Sequence, residues 1–542
     1  MVHLTDDYRF HKEAFEAGAI NVPQYSQMAI DEETNNAPVW VHFGGGNLFR
    51  CFHAAIAQSL LNQGELKSGV VVAETYDDEV VSRIYRPYNN RILQVITKAD
   101  GQFEKHLLAS VAESYFFNQS NQTDWQAMMA IFAKPSLQFA TFSITEKGYN
   151  LWQSNGNLLE MVAQDIENGP EAPLNNMAGV TALLYHRYQN GATPIAMIST
   201  DNFSQNGDRL KKSVLTVAQG WVAKGHVPAE FIDYLTDTKQ VSFPLSMIDR
   251  ITPNPSQTVA DQLAAAGFED NTILHTTKGT NIAPFGNTEE THYLVIEDAF
   301  PNGRPDLTKA GVYLVSRDVV NDVDEMKVTT CLNPLHTSLA VFGCLLGYQS
   351  ISAEMQNPDL VQLIKQIGYH EGLPVVKDPG IINPKQFIDE VVNKRLPNPF
   401  IPDTPQRIAS DTSQKMAIRY GVTLQHYVDR SDLTPTQLHF IPLTIAAWCR
   451  YLVGLDDNGA AFDLSPDPLL SELQADLKDL QLGQAIDAHA LLQPILSNKT
   501  IFGLDLYQIE LGTRIETLFS QMMAEKGAIA ATLHTLIEKE AE

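Results

Sequence analysis

The chain has 542 residues, of which 44% are hydrophobic and 9% aromatic, and its formal net charge is −26. That length exceeds one ordinary hydrophobic core, so two domains are expected, and the composition is that of a folded rather than a disordered chain. The acidic balance argues against a nucleic-acid partner, which needs a basic face, and it means that an anionic substrate requires local cations to hold it.

Residues 1–35 read as a helical, acidic lead-in without the apolar stretch of a secretion signal. Residues 38–43 (PVWVHF) read as a buried strand running into Gly44, Gly45, Gly46 and Asn47, and a helical pattern follows through Leu48, Phe49, Phe52, Ile56 and Leu60. Strand, glycine turn and helix is the arrangement in which backbone N–H groups cradle a pyrophosphate. The full G-x-G-x-x-G is absent because position 49 is Phe, so the same residues also suit a plain tight turn. The next strand, 69–73 (GVVVA), ends in Glu74. An acid there is placed to accept from the adenosine ribose hydroxyls and to repel a 2′-phosphate, which favours NAD over NADP. Beside Asp77, Asp78 and Glu79 it also fits a solvated loop.

Further strands read at 92–96, 107–111, 137–144 and 193–199, with helices at 125–132 and 176–188. This alternation predicts an α/β fold with a Rossmann-type doubly wound sheet in the N-terminal part, and it assigns residues 36–230 to an NAD-binding domain. Ligands sit at the carboxyl ends of strands in such sheets, where Glu74, residues 145–148 and Asp201-Asn202 fall.

Residues 231–542 read as a C-terminal substrate domain, with strands to about 317 and a mainly α-helical pattern beyond, at 360–368, 385–394, 444–453, 469–482 and 513–526. Asp249 and Arg250 read as a local ion pair. The stretch 322–337 (DVDEMKVTTCLNPLHT) brings Lys327, Asn333 and His336 together ahead of an apolar run. An amine, an amide and an imidazole that grip one oxygen equip a metal-free dehydrogenase. Taken alone, the three also suit the start of an apolar helix.

Arg407 and Lys415 are eight residues apart, about 80° on an unbroken helix, and would share a face. A helical domain closing over a nucleotide domain would place such a pair at a substrate cleft. The four cysteines, Cys51, Cys331, Cys344 and Cys449, have no C-x-x-C spacing, which predicts reduced thiols and a cytoplasmic protein. The longest apolar runs, near 335–348 and 440–455, are short or broken by Arg450, so no membrane span is expected. No H-E-x-x-H, Cys/His cluster, G-x-S-x-G or Walker A pattern occurs, so neither a catalytic metal nor serine-hydrolase or P-loop chemistry is expected.

In order along the chain, HFGGGNLFR, TEKGY, the DN-x3-NG of 201–207, FPLSMIDRITP, VIEDAF-x2-GRP, K…N-x2-H and the Asn-Pro…Arg…Lys segment resemble the polyol-specific long-chain dehydrogenases, the mannitol dehydrogenase and uronate reductase family. The resemblance spans about residues 38 to 420. It implies an NAD(P)-dependent, metal-independent secondary-alcohol dehydrogenase acting on a small sugar acid or polyol, as monomer or dimer. By position it makes Lys327 the general acid/base and sets Asn333 and His336 on the reacting oxygen. It also puts Asn202, Asp249, Arg407 and Lys415 around the substrate, and Gly44, Gly46 and Arg50 in the cofactor turn. The form G-G-G-N-L-F-R is closer to the uronate reductase branch than to the G-x-G-x-F-x-R of mannitol dehydrogenases. The expected reaction is therefore D-fructuronate to D-mannonate or its reverse, with tagaturonate or mannitol as alternatives and an inactive nucleotide sensor as the reading from another class. Lys327 stands six residues before Asn333 where the family has five. On an unbroken helix that turns Lys327 by about 100°, so Pro334 predicts a helix break between them.

Overall fold

In the computed structural model, which describes residues 1–541, the chain divides into two compact units. One comprises Met1–Lys98 and Gln102–Asn321, the other Ala99–Gly101 and Asp322–Glu542.

The first unit is built on six strands: β1 (Trp40–Phe43), β2 (Val70–Glu74), β3 (Val111–Phe116), β4 (Phe139–Phe142), β5 (Ile195–Ser199) and β6 (Val241–Ser242). They pair in the order β3-β2-β1-β4-β5-β6, every neighbour parallel. This is the dinucleotide-fold order, with its reversal between β1 and β4. Every residue of β1, β2, β4 and β5 is buried, as a parallel sheet covered on both faces requires.

The two faces follow the two-residue period. Val41, Phe43, Val71, Ala73 and Phe142 pack with Trp125, Met128, Leu183, Val214 and Trp221. These partners come from α2 (Gln122–Ala133), α3 (Asn176–Gln189) and α4 (Asn206–Ala223). Trp40, Val70, Val72, Ala196 and Ile198 pack on the other side with Phe49, Phe52, Ile56 and Leu60 of the helix that ends in α1 (Ala54–Gln63).

The partition differs from the one read from the sequence, which placed a boundary near residue 230. Strand β6 extends the main sheet, and β7 (Ser246–Asp249), β8 (Tyr293–Glu297) and β9 (Tyr313–Val315) form a second sheet whose Ile248, Leu294 and Ile296 share the core of β1 and β2. Hydrophobic continuity therefore keeps residues up to Asn321 with the nucleotide fold. The strands expected at 92–96 and 107–111 are Ile92–Thr97 and Phe103–Leu108, an antiparallel hairpin paired with Phe285–Glu289 outside the main sheet.

In the second unit, α5 (Arg317–Met326) leads through a π turn at Lys327–Cys331 into α6 (Asn333–Leu346). Nearly all of α6 is buried, as is every residue of α8 (Phe440–Tyr451), which follows the short α7 (Pro405–Ile408). Helix α8 packs against both α6 and α9 (Gly512–Met522). A helix apolar on every side is a core helix. Residues 469–482, read as one helix, hold only the single turn Leu470–Leu473. Asp467 and Gln484, just outside the run, accept from Leu469 N–H and Gln481 N–H and form turns at its two ends.

Glu354 is fully buried against Gly343 of α6 and Pro405, and neither carboxylate oxygen has a hydrogen-bond partner among the described residues. Burial raises its pKa to about 9. The folded chain thus holds a proton that the unfolded chain releases above about pH 4.5, so stability declines as pH rises from there toward 9. Glu354→Met is expected to raise stability at pH 8 by about 1–3 kcal/mol and to flatten this slope, measured by urea unfolding from pH 5 to 9.

Candidate functional site

The turn after β1 is fixed from both sides. Gly44 adopts φ +102°, donates its N–H to Ala73 O at 2.8 Å, and leaves no room for a Cβ, which would lie 2.2 Å from Ser143 O. Gly45 N–H donates to Glu74 Oε2 at 2.6 Å, and Tyr85 OH donates to Gly45 O at 2.8 Å. A Cβ on Gly46 would meet nothing within 4 Å. The first two glycines lock the turn against β2 and β4, and the third opens it to a ligand. With the sheet reversal between β1 and β4, these residues fit a dinucleotide pyrophosphate.

Glu74 has another task than the ribose contact read from the sequence. Its carboxylate accepts from the N–H groups of Gly45, Tyr76 and Asp77, and it is 6% exposed. Burial raises its pKa, opposed by those three donors. Arg50 is fully buried; it donates to Asn47 Oδ1 at 3.3 Å and to Ala283 O, so it ties the turn to the strand beyond it instead of standing open to a phosphate.

The edge of the sheet after β5 is held by Asp201, which the sequence placed at that edge, and by Asn206, which it quoted only within the DN-x3-NG motif. Asp201 accepts from Ile144 N–H (2.9 Å), Thr145 N–H (3.0 Å) and Tyr149 OH (2.6 Å), which shapes the TEKGY turn. Asn206 is fully buried and donates to Asp201 O, Ser246 O and Ser246 Oγ, each at 3.0 Å, joining the loop after β5 to the start of β7. Gly207 follows because a Cβ there would lie 2.4 Å from Pro244 O. Asn202 is exposed in this loop, and Asp249 ends β7, 6% exposed.

In the second unit the extra residue between Lys327 and Asn333 is taken up by the π turn. Lys327 O accepts from Leu332 N–H at 3.1 Å, a five-residue step, and Leu332 breaks the helix at φ −128°, ψ −63°. Asn333 and Pro334 then open α6. Lys327 is 2% exposed. π turns add one residue to a helix and recur at functional sites; Arg395 and Arg419 lie in two others, Val391–Arg395 and Ala417–Gly421.

His336, one turn into α6, sits 3.5 Å from Asp403 Oδ2, its side chain 16% exposed, and its Nε2 has no hydrogen-bond partner among the described residues. Burial lowers its pKa to about 4; Asp403 opposes this, while Arg419, Arg407 and Arg395 reinforce it. The imidazole is therefore neutral at pH 7, among three guanidinium groups and one carboxylate.

Asp403 also binds Arg407. The unbroken helix expected from Arg407 to Lys415 is absent: α7 stops at Ile408, Asp411 turns to φ +53°, and Thr412–Gln414 is a single 3₁₀ turn. Pro405 starts the short helix, and Thr404 caps it by accepting from Arg407 N–H. Lys415 donates to Ser410 O, and its pKa is lowered by burial and by the charges of Arg419 and Arg407. The structure thus gathers His336, Arg407 and Lys415 electrostatically, and it adds Asp403, Arg395 and Arg419, which sequence reasoning missed. Their signal was local, in the RLPNP and QKMAIR runs beside the residues already chosen. Among the described residues no group of three or more His, Cys, Asp or Glu is arranged to hold a metal ion, and the four cysteines are buried free thiols.

Residues 38–309 match the family model for the mannitol dehydrogenase Rossmann domain, and residues 320–523 that for the mannitol dehydrogenase C-terminal domain. A D-mannonate oxidoreductase of Thermotoga maritima is 48% identical, over 97% of this chain and 97% of its own. Two solved structures share the fold at 24% identity. A D-sorbitol dehydrogenase in substrate-free form has a TM-score of 0.78, over 95% of this chain and 97% of its own. The Pseudomonas fluorescens mannitol 2-dehydrogenase, in ternary complex with NAD and D-mannitol, has a TM-score of 0.68, over 96% and 97%.

Two outcomes are expected. Gly44→Ala forces a side chain into Ser143 O and should raise the KM for the dinucleotide by roughly tenfold or more, read by steady-state kinetics. Between pH 6.5 and about 4 the unfolded chain protonates a histidine that the folded chain keeps neutral, so stability falls as pH falls through that window. His336→Gln should remove part of that acid sensitivity, at most about 3 kcal/mol, measured by urea unfolding at pH 7.5, 6 and 5.

Proposed function

The chain belongs to the mannitol dehydrogenase family, and on that premise we propose that it is an NAD-dependent oxidoreductase interconverting a keto-hexuronate and a hexonate, D-fructuronate and D-mannonate. The observation that carries the substrate class is the set of cations around His336. In a chain of net charge −26, Arg419, Arg407 and Arg395 all act on one neutral imidazole, and Asp403 acts against them. Such a cluster suits a substrate that brings its own negative charge. The 48% identity to a D-mannonate oxidoreductase supports the same choice.

NAD, bound at the glycine turn, supplies or takes the hydride. Lys327 gives the proton to the developing alkoxide in reduction and removes it in oxidation. Asn333, at the start of α6, and the neutral His336 donate hydrogen bonds to that oxygen and carry its charge in the transition state. A neutral imidazole keeps an N–H donor without placing another full cation beside the arginines. Asn202, Asp249, Arg407 and Lys415 hold the sugar hydroxyls and carboxylate. NAD as the cofactor is supported by the match of residues 38–309 to the mannitol dehydrogenase Rossmann domain.

The test is a panel of D-fructuronate, D-tagaturonate, D-fructose and D-mannitol followed at the NADH absorbance, each with NAD(H) and NADP(H). The expected result is a kcat/KM for D-fructuronate with NADH at least about tenfold above every other combination. Rapid turnover of mannitol or fructose with none of either uronate would overturn the reading. Lys327→Ala is expected to lower kcat by roughly 10²–10⁴ while its unfolding midpoint stays near that of the parent.

A further inference from the structure

Arg419 spends its donors differently from Arg187 and Arg450. Arg187 makes five hydrogen bonds to backbone carbonyls, and Arg450 makes three. Each therefore has its charge solvated by the fold. Arg407 is neutralised by Asp403. Arg419 is partly buried and donates to one hydroxyl, Thr337 Oγ1, which itself donates to Asn333 O at 2.8 Å. Among the described residues it meets no carboxylate within ion-pair distance, and burial depresses its pKa.

Thr337 fastens this guanidinium to α6 one turn on from Asn333 and directly after His336, the two residues proposed to hold the reacting oxygen. Its charge acts on His336 more strongly than that of Arg407 or Arg395, and it also acts on Lys415. A partly buried guanidinium with most of its five N–H donors unspent and no counter-ion among the described residues is equipped to meet a carboxylate that accepts two parallel N–H bonds.

We infer that Arg419 is the residue that recognises the substrate's carboxylate and so sets the preference for a sugar acid over a neutral ketose or polyol. Arg407, already paired with Asp403, then serves the hydroxyls and the orientation of His336. The inference rests on the sugar-acid reading and sharpens it to one side chain.

The experiment compares the wild type, Arg419→Gln and Arg419→Lys, with D-fructuronate and D-fructose as alternative substrates and NADH as cofactor. The quantity read is the ratio of the two kcat/KM values. Arg419→Gln should lower the uronate-to-ketose ratio by roughly 30-fold or more, chiefly through the KM for the uronate. Arg419→Lys, which keeps the charge without the fork, should recover part of it. An equal loss on both substrates, in variants with a parental unfolding midpoint, would overturn the inference and leave the sugar-acid reading standing. A wild type that turns over fructose but not fructuronate would remove the reading itself.

Should neither variant fold, the wild type still decides. Competitive inhibition by gluconate against sorbitol is expected to favour gluconate by roughly tenfold or more and to lose that preference in 1 M salt. Equal inhibition by the two would overturn the inference.

Discussion

Pro334 has no N–H to donate, and its ring collides with the carbonyl four residues earlier, so the helix that begins at Arg317 cannot run through it. The chain resolves this by widening to a π turn at Lys327–Cys331 and breaking at Leu332 before α6 starts again at Asn333. An unbroken helix would have carried Lys327 about 100° around the axis. Here the surplus residue is absorbed in the turn, and Lys327 stays buried at the end of one helix while Asn333 and His336 open the next. The same device recurs at Arg395 and Arg419. Three cationic residues of the second unit are thus carried on helical turns with one residue too many, a geometry that costs hydrogen-bond quality and persists where a side chain must be re-aimed.

Both units bury carboxylates against backbone donors. In the first, buried carboxylates face backbone donors: Glu74 takes three N–H groups, Asp201 takes two and a tyrosine hydroxyl, and Asp165 takes Leu174 and Asn175 N–H at 2.7 and 2.8 Å. These acids set loop shape at the carboxyl edge of the sheet, where the chain needs order without a covering strand. The second unit does the same at Glu371, which accepts from the N–H groups of His439, Phe440 and Ile441, and at Asp457, which accepts from Ile529 N–H, while around His336 three guanidinium groups face Asp403. The result is a local positive field in a strongly acidic chain. Burial keeps His336 neutral, and the three guanidinium groups reinforce this against Asp403.

Much of this was legible in the sequence because it depends on local pattern. Short apolar strands alternating with helical periods, and a glycine turn after PVWVHF, predict a doubly wound sheet, and the six parallel strands in dinucleotide order are that sheet. Pro334 announced the break before α6 by its covalent structure. The run of motifs identified the family, since their order along the chain is itself sequence information.

The tertiary structure alone decided where the units divide, because β7–β9 join the nucleotide fold through side chains of Ile248, Leu294 and Ile296 that meet strands some two hundred residues earlier. It alone turned Glu74 and Arg50 from open ligands into braces of the turn, since whether a polar group is spent depends on which distant backbone lies beside it. It also brought Arg395, Asp403 and Arg419 to His336. The sequence by itself determined which chemistry this chain carries, through residue types and local spacing. Which of those groups remain free to act was decided by packing, because burial and hydrogen bonding are properties of neighbours in space.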